Sequence, residues 1–369
     1  MTTPDDLRHM RAALALAARG LGSTWPNPSV GCVLVKDGTV VGRGWTQPGG
    51  RPHGETEALA RAGAAARGAT AYVSLEPCNH HGKTPPCSEA LIAAGVARVV
   101  VACEDPDPRV AGGGVRRLRE AGIAVDTGVC AEEAYELNRG FFTRILHDRP
   151  LFTLKLATTL DGRIATHSGE SKWITGDTAR AWGHGLRASH DVIMVGIRTA
   201  LADDPELTCR LPGLEHRSPV RVIFDSRLRL PLTSKLAASA ARVPTWLVTC
   251  VDPDPLRAEA FAGCGVQLIP VPPDGAGLPD PALAAKALAA CGITRVLVEG
   301  GATLAASLLR ARLVDRVEWF RAARVIGGDG IAAVAGFGVD RLAEAADFER
   351  VAVRRAGADV AESYVRRPA

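Results

Sequence analysis

Apolar positions in this chain gather into short dense runs, separated by alanine-rich stretches in which they recur three or four residues apart. The runs SVGCVLVKDG, AYVSLE, ARVVVACED and IAVDTGV predict strands. Between them ETEALARAGAAARG, SEALIAAG and GVRRLREAG predict helices, the second closing at Gly95. Near residue 145 the pattern restarts: AYELNRGFFTRILHDRP ends on Pro150, and FTLKLATTLDG opens a strand that an Asp161-Gly162 turn stops. DVIMVG, PVRVIFDS, TWLVTC, VQLIPV and TRVLVEGG follow as strands, with DTARAWGHGLRAS, DPALAAKALAACG and TLAASLLRARLV as helices. The Pro-, Asp- and Gly-rich segment 251–281 predicts loop with one strand, and the residues beyond Gly330 predict a helix and a terminal strand pair. This alternation is that of an α/β protein, with domains 1–147 and 148–369.

A chain of 369 residues exceeds one ordinary core, and its 47% hydrophobic and 23% charged composition supports two. Charges or glycines interrupt every apolar run, so no membrane span is predicted. MTTPDDLRHM carries acids where a signal peptide carries lysines, which makes the cytoplasm the expected location. A net charge of +4, with arginines scattered among acids, suits a small anionic ligand and not a nucleic acid. Nine cysteines without a signal peptide point to free thiols or metal ligands. Cys32, Cys103, Cys250 and Cys291 lie in or beside apolar stretches and read as packing. Cys78 and Cys87 have chemical company.

PHGETEAL places His53 and Glu55 at the start of a predicted helix, and LEPCNHHGKTPPC places Cys78 after a strand and Cys87 before a helix. One imidazole and two thiolates suit zinc and leave a fourth position for a water, which the metal acidifies. Glu55, two residues from a ligand, is spaced to move that water's proton to a departing amino group. His-x-Glu followed by Pro-Cys and a second Cys is a zinc-deaminase pattern. A closed structural site completed by His80 or His81 is the alternative, and it leaves His53 and Glu55 without a role.

Eight residues separate the cysteines, Asn79 to Pro86, and this expanded loop resembles that of the diaminohydroxyphosphoribosylaminopyrimidine deaminases of riboflavin synthesis. WPNPSVGCVLV is similar to the same family's Pro-Asn-Pro-x-Val-Gly stretch. The resemblance implies a cytidine-deaminase-like three-layer α/β/α domain in which His53, Cys78 and Cys87 ligate one zinc ion, Glu55 is the catalytic proton shuttle, and Asn27 and Lys83 contact substrate. Gly54 stands where many members carry alanine, an exchange expected to leave the mechanism unchanged.

The second half lacks a G-x-G-x-x-G fingerprint, but VLVEGGATL joins a strand, two glycines and a helix start near Thr303, which suits a phosphate. A tight strand-to-helix turn is the plain alternative. With KLATTLDGRIA, SGESKWIT and VGIRTALADDPELTCR, it resembles the C-terminal reductase of the same riboflavin enzymes, over residues 152–330. That resemblance implies a dihydrofolate-reductase-like α/β fold, NADPH, and reduction of a ribosyl group to ribityl. It places Ala157, Trp173, Thr199, Asp203, Gly301, Ala302, Thr303, Leu304, Ala305 and Ala306 at the cofactor, and Ser171, Arg187, Leu207, Arg210 and Glu299 at the substrate. Arg187 and Arg210 are expected as phosphate forks, and Lys155 and Asp203 as candidates for proton transfer. The partner implied is a phosphorylated pyrimidine, and a homo-oligomer is expected. Two rivals stand beside this: a deaminase of other nucleosides or tRNA, and a zinc-stabilised binding protein in which Glu55 is dispensable.

Overall fold

A computed structural model describes residues 2–80, 85–108 and 110–367, and the chain divides into two units, Met1–Asp148 and Arg149–Ala369. The first unit carries strands β1 (Gly31–Lys36), β2 (Thr39–Trp45), β3 (Thr70–Val73), β4 (Arg98–Val101) and β5 (Ala124–Thr127) in the order β2-β1-β3-β4-β5. β1 runs antiparallel to both neighbours, whereas β3, β4 and β5 are parallel. Its helices are α1 (Pro4–Ala17), α2 (Gly54–Ala62), α3 (Cys87–Ala93), α4 (Gly113–Glu120), α5 (Ala131–Leu137) and α6 (Arg139–His147).

Strand alternation sorts the core into two layers. Cys32, Leu34, Val73, Val99 and Val101 pack with Ala58, Leu91 and Leu118 of α2, α3 and α4. Val33, Val35, Tyr72 and Val100 pack with Met10, Ala13 and Ala134 of α1 and α5. The sheet is therefore the middle of three layers. The parallel strands all deliver their C-terminal ends to one edge, and the chain leaves β3 there through Glu76, Pro77 and Cys78.

The second unit has strands β6 (Leu151–Thr158), β7 (Arg163–Ala165), β8 (Val192–Gly196), β9 (Val220–Phe224), β10 (Thr245–Cys250), β11 (Gln267–Val271), β12 (Arg295–Gly300), β13 (Val314–Arg321), β14 (Ile331–Ala332), β15 (Phe348–Ala356) and β16 (Asp359–Arg366). Helices α7 (Asp177–Ala188), α8 (Ile197–Asp203), α9 (Lys235–Ala238), α10 (Pro255–Gly263), α11 (Pro281–Ala290) and α12 (Ala302–Arg310) connect them. Nine strands form one sheet, β11-β10-β9-β8-β12-β6-β13-β16-β15, parallel as far as β13 and closed by the antiparallel β15–β16 hairpin. Val192 to Val195 and Val296 to Val298 are fully buried, the continuous apolar run that a doubly covered parallel strand requires. β7 and β14 pair separately.

Several expectations are corrected. The helix expected through Val314 stops at Arg310; Arg312 turns left-handed (φ 56°) and VDRVEWFR becomes β13, held between β6 and β16. Its mixed charges hide a strand that pairing, not composition, specifies. The loop-heavy segment holds a second element, α10, with Pro255 in its first turn and Arg257 N donating to the Asp254 cap at 2.8 Å. The helix expected beyond Gly330 is only a 3₁₀ turn, Leu342–Glu344, because Leu342 stands 95% exposed and has no face to bury. Helix α1, not anticipated, starts with a capping box in which Asp6 N donates to Thr3 Oγ1 and Thr3 N to Asp6 Oδ2.

Candidate active sites

In the first unit the chemistry collects at the C-terminal edge of the parallel strands. His53 caps α2, Glu55 lies in its first turn, and Cys87 is the first residue of α3. Cys78 arrives on the loop after β3, and its sulfur accepts the Cys87 N–H at 3.4 Å. His53 Nδ1 lies 3.3 Å from Cys87 Sγ and 3.6 Å from Cys78 Sγ. Tetrahedral bonds to a shared zinc would put a nitrogen and a sulfur about 3.6 Å apart. Among the described residues these three are the one His, Cys, Asp or Glu cluster with ligand atoms close enough to share a metal ion. His80 lines the same cavity but does not join the set.

The electrostatics suit a dication at this cluster. Cys78 is held down by its pairing with Cys87 and then by His53, while Cys87 is pushed well up by that pairing and by burial. Zinc binds cysteine as the thiolate, so its binding would release the protons these sulfurs carry. Burial pushes Glu55 up to about 7, His53 opposing and the Cys78 thiolate adding to it. Glu55 is buried, and among the described residues its Oε2 has no hydrogen-bond partner. A buried carboxylate oxygen without a partner, beside three converging soft ligands, fits a metal and an attacking water.

His53, Glu55 and Cys78 line a cavity of about 290 Å³. Asn27 lines it too, its amide donating to Gly50 O at 2.9 Å. Lys83 lies outside the described residues. Gly54 is not interchangeable with alanine here, since a Cβ would sit 2.6 Å from Val30 O. Residues that sequence reasoning passed over complete the walls: Arg51, Glu76, Asp105, Asp107 and Arg144. Glu76, in the quoted LEPC, accepts backbone N–H groups from Asp105, Gly112, Gly114 and Val115 at 3.3, 2.9, 2.9 and 3.0 Å. It thereby binds the start of α4 to the loop before Cys78. Burial, and then the neighbouring acids, push Asp105 up to about 7.

The second unit presents a cavity of about 190 Å³ at the C-terminal ends of β6 and β12 and along α8. The structure brings Ala157, Ser171, Thr199, Asp203, Glu299, Gly301 and Ala305 together on its lining, with Lys155 and Gly300. Buried Glu299 accepts from Arg187 Nε at 2.6 Å and Nη2 at 3.0 Å, and Lys155 Nζ lies 3.7 Å away. Burial alone would raise this carboxyl; Arg187 and Lys155 outweigh it and hold it at about 2. Arg187 Nη1 also donates to Thr208 O at 2.8 Å. The guanidinium expected as a phosphate fork is thus committed to Glu299 and a carbonyl. Arg210 is more than half exposed, with Glu206 at 3.8 Å.

Other expected positions fall outside the lining. Leu207 is buried in a hydrophobic core, and Trp173 stands 65% exposed beneath the Arg180 guanidinium. Leu304 and Ala306 point into packing, Thr303 is exposed, and Ala302 opens α12. The glycine turn does suit a phosphate-bearing cofactor. Gly301 takes φ 92° as the cap of α12, and a Cβ at Gly300 would press on Thr199 at 3.2 Å. The backbone is left bare beside the start of a nine-residue helix.

Known proteins carry the same arrangement. Residues 150–361 match the family described as the RibD C-terminal domain, and residues 3–103 match the cytidine and deoxycytidylate deaminase zinc-binding region. The riboflavin biosynthesis protein RibD of Aquifex aeolicus is 42% identical over 355 residues, covering 96% of this chain and 97% of its own. That of Escherichia coli is 42% identical over 367 residues, covering 96% and 98%. Among solved structures, an Acinetobacter baumannii RibD superposes with a TM-score of 0.88 at 38% identity, covering 98% of this chain and 99% of that one. A Thermotoga maritima diaminohydroxyphosphoribosylaminopyrimidine deaminase/5-amino-6-(5-phosphoribosylamino)uracil reductase does so with 0.86 at 34% identity, covering 98% of each.

Proposed function

The chain belongs to the RibD family of riboflavin biosynthesis proteins, and from that premise we propose that its two cavities catalyse consecutive steps on one phosphorylated pyrimidine. The first unit, a zinc deaminase with a cytidine-deaminase-like fold, hydrolyses 2,5-diamino-6-(5-phosphoribosylamino)pyrimidin-4(3H)-one to 5-amino-6-(5-phosphoribosylamino)uracil and ammonia. The second, a dihydrofolate-reductase-like domain, reduces the ribosyl group to ribityl with NADPH. The observation that carries the reading is the buried Oε2 of Glu55, without a partner among the described residues, beside the converging His53, Cys78 and Cys87.

His53, Cys78 and Cys87 would hold zinc, which when bound supplies a Lewis acid able to bring water's acidity near neutrality. Glu55 takes the proton of the attacking water on Oε2 and returns it to the departing amino nitrogen. Its burial makes it a base strong enough for the first task and an acid strong enough for the second. In the reductase, Thr199, Asp203, Gly301 and Ala305 would hold NADPH, which when bound supplies the hydride. Glu299, fixed by Arg187, accepts from the substrate's hydroxyl or ring N–H groups, and Lys155 Nζ is placed to hold the proton that the opened sugar takes up.

The domain boundary at 147–148, a cytoplasmic location and a homo-oligomer belong to the same reading. Nine free cysteines support the location, and among the described residues no helix is long and apolar enough to cross a membrane. The test is a coupled assay on zinc-loaded protein with the diaminopyrimidinone, following ammonia and NADPH separately. Ammonia release that precedes NADPH oxidation is expected; neither signal would favour the zinc-stabilised binding protein.

A further inference from the structure

The loop that follows α8 is anchored by side chains and not by a sheet. Residues 207–210 belong to no helix or strand; Leu207 and Cys209 are buried, and Arg210 is exposed. The backbone groups between them must still find partners once the two apolar side chains have drawn the chain inward. One face of α7 supplies them. Arg187 Nη1 donates to Thr208 O at 2.8 Å, and the Arg210 N–H donates to His184 Nδ1 at 3.3 Å. The Cys209 thiol donates in turn to His184 O at 3.5 Å. Three consecutive residues are thus clamped to two helix positions that share a face. The same face reaches the reductase cavity. Arg187 holds Glu299, and Gly183 lies opposite Lys155, whose Nζ would stand 3.9 Å from a Cβ placed there.

A backbone N–H can only donate, so His184 Nδ1 accepts and the ring is the neutral tautomer with its hydrogen on Nε2. Burial, and then the charges of Arg187 and Arg210, push the ring down to about 4, which keeps it in that form at neutral pH. Arg210 follows two residues after the carbonyl that Arg187 joins to the cavity's Glu299. Its guanidinium is more than half exposed, and Glu206, at 3.8 Å, is beyond hydrogen-bond distance. Such a group suits an anion, provided its backbone holds one direction. We propose that His184 is a positioning residue of the reductase, its Nδ1 setting the direction in which Arg210 meets the phosphorylated end of the substrate. The proposal rests on the reductase reading above, with Arg210 at the substrate. The phosphate lies at the far end of the sugar from the carbon that takes the hydride. Fixing Arg210 therefore strengthens ground state and transition state alike, and its loss is read in KM.

The test uses full-length zinc-loaded protein carrying His184→Ala, His184→Gln or His184→Asn. Asn places an acceptor, Oδ1, where Nδ1 stands, whereas Gln carries the same amide one bond farther out. NADPH oxidation is followed with 5-amino-6-(5-phosphoribosylamino)uracil, and amide hydrogen exchange is read on the peptide containing Arg210. Loss of one such hydrogen bond makes about a tenfold difference, so KM for the uracil compound should rise about tenfold in the Ala and Gln variants. Their kcat and their KM for NADPH should stay unchanged. The Asn variant should recover most of the affinity and the protection of the Arg210 amide. An unchanged KM, a fall in kcat alone, or equal behaviour of the Asn and Gln variants overturns the proposal. Thermal unfolding identifies a variant that has failed to fold; if the Ala variant does, the comparison of Asn with Gln decides. Should the unsubstituted protein oxidise no NADPH, the reductase reading falls. Calorimetry with the same uracil compound then reads His184 by itself: weaker binding with Gln than with Asn supports the positioning role, and equal binding overturns it.

Discussion

In the first unit Glu55 is buried with an oxygen that has no partner among the described residues, while three soft ligand atoms converge beside it; in the second, the Glu299 side chain is buried with Arg187 and Lys155 already around it. Burial raises the first carboxyl to about 7, whereas in the second it is outweighed and the acid sits at about 2. One cavity gathers soft ligands that suit a metal ion beside its acid. The other is balanced by its own side chains and presents a fixed carboxylate to whatever enters. A buried acid is thus a proton carrier or a fixed acceptor according to what the fold sets beside it.

Four experiments can break or sharpen this contrast. The largest effect is expected from stripping metal: dialysis against a chelator should abolish ammonia release and leave NADPH oxidation with the deaminated compound. Among the described residues the second unit holds no His, Cys, Asp or Glu cluster of metal-ligand geometry. Loss of both activities would erase the distinction. Next, Arg187→Ala strands Glu299 as a buried charge, which costs about 3–5 kcal/mol in such settings. Denaturant unfolding should show that loss in the second unit and none in the first.

The pH dependence follows from the same carboxyl. Its folded pKa is depressed, so its contribution, about 3 kcal/mol, is full above its ordinary value near 4.5 and fades as pH falls towards about 2. Glu299→Gln should remove that acid-dependent portion from the unfolding curve; a curve unchanged in shape would show that the ion pair contributes nothing. The smallest effect is Gly54→Ala, which forces a Cβ against Val30 O and should cost about 1–3 kcal/mol. That loss belongs to the first unit alone, and a neutral result would mean α2 can shift without disturbing His53.

Legibility in the sequence followed the range of the interactions. His53, Glu55, Cys78 and Cys87 announce themselves because each sits at a strand-to-helix transition, where residue type and spacing carry the geometry. The alternation of strands and helices gave the α/β class for the same local reason. The pairing of Arg187, expected as a phosphate fork, with Glu299 was invisible in the sequence because the two lie 112 residues apart. Glu76 went unnoticed since its role depends on backbone amides 29 to 39 residues distant, and Asp105 because it is Glu76 that anchors its N–H from 29 residues away. β13 reads as a charged segment until β6 and β16 flank it.

The central claim, that Glu55 moves protons in one cavity and has no part in the other, is tested most directly by Glu55→Gln in zinc-loaded protein given each substrate in turn. With the diaminopyrimidinone, ammonia release should fall about 10²- to 10⁴-fold with zinc retained, and NADPH oxidation should fall with it. With the deaminated compound, NADPH oxidation should match the unsubstituted protein. Persistent ammonia release, zinc loss, or failure on the deaminated compound would contradict the account.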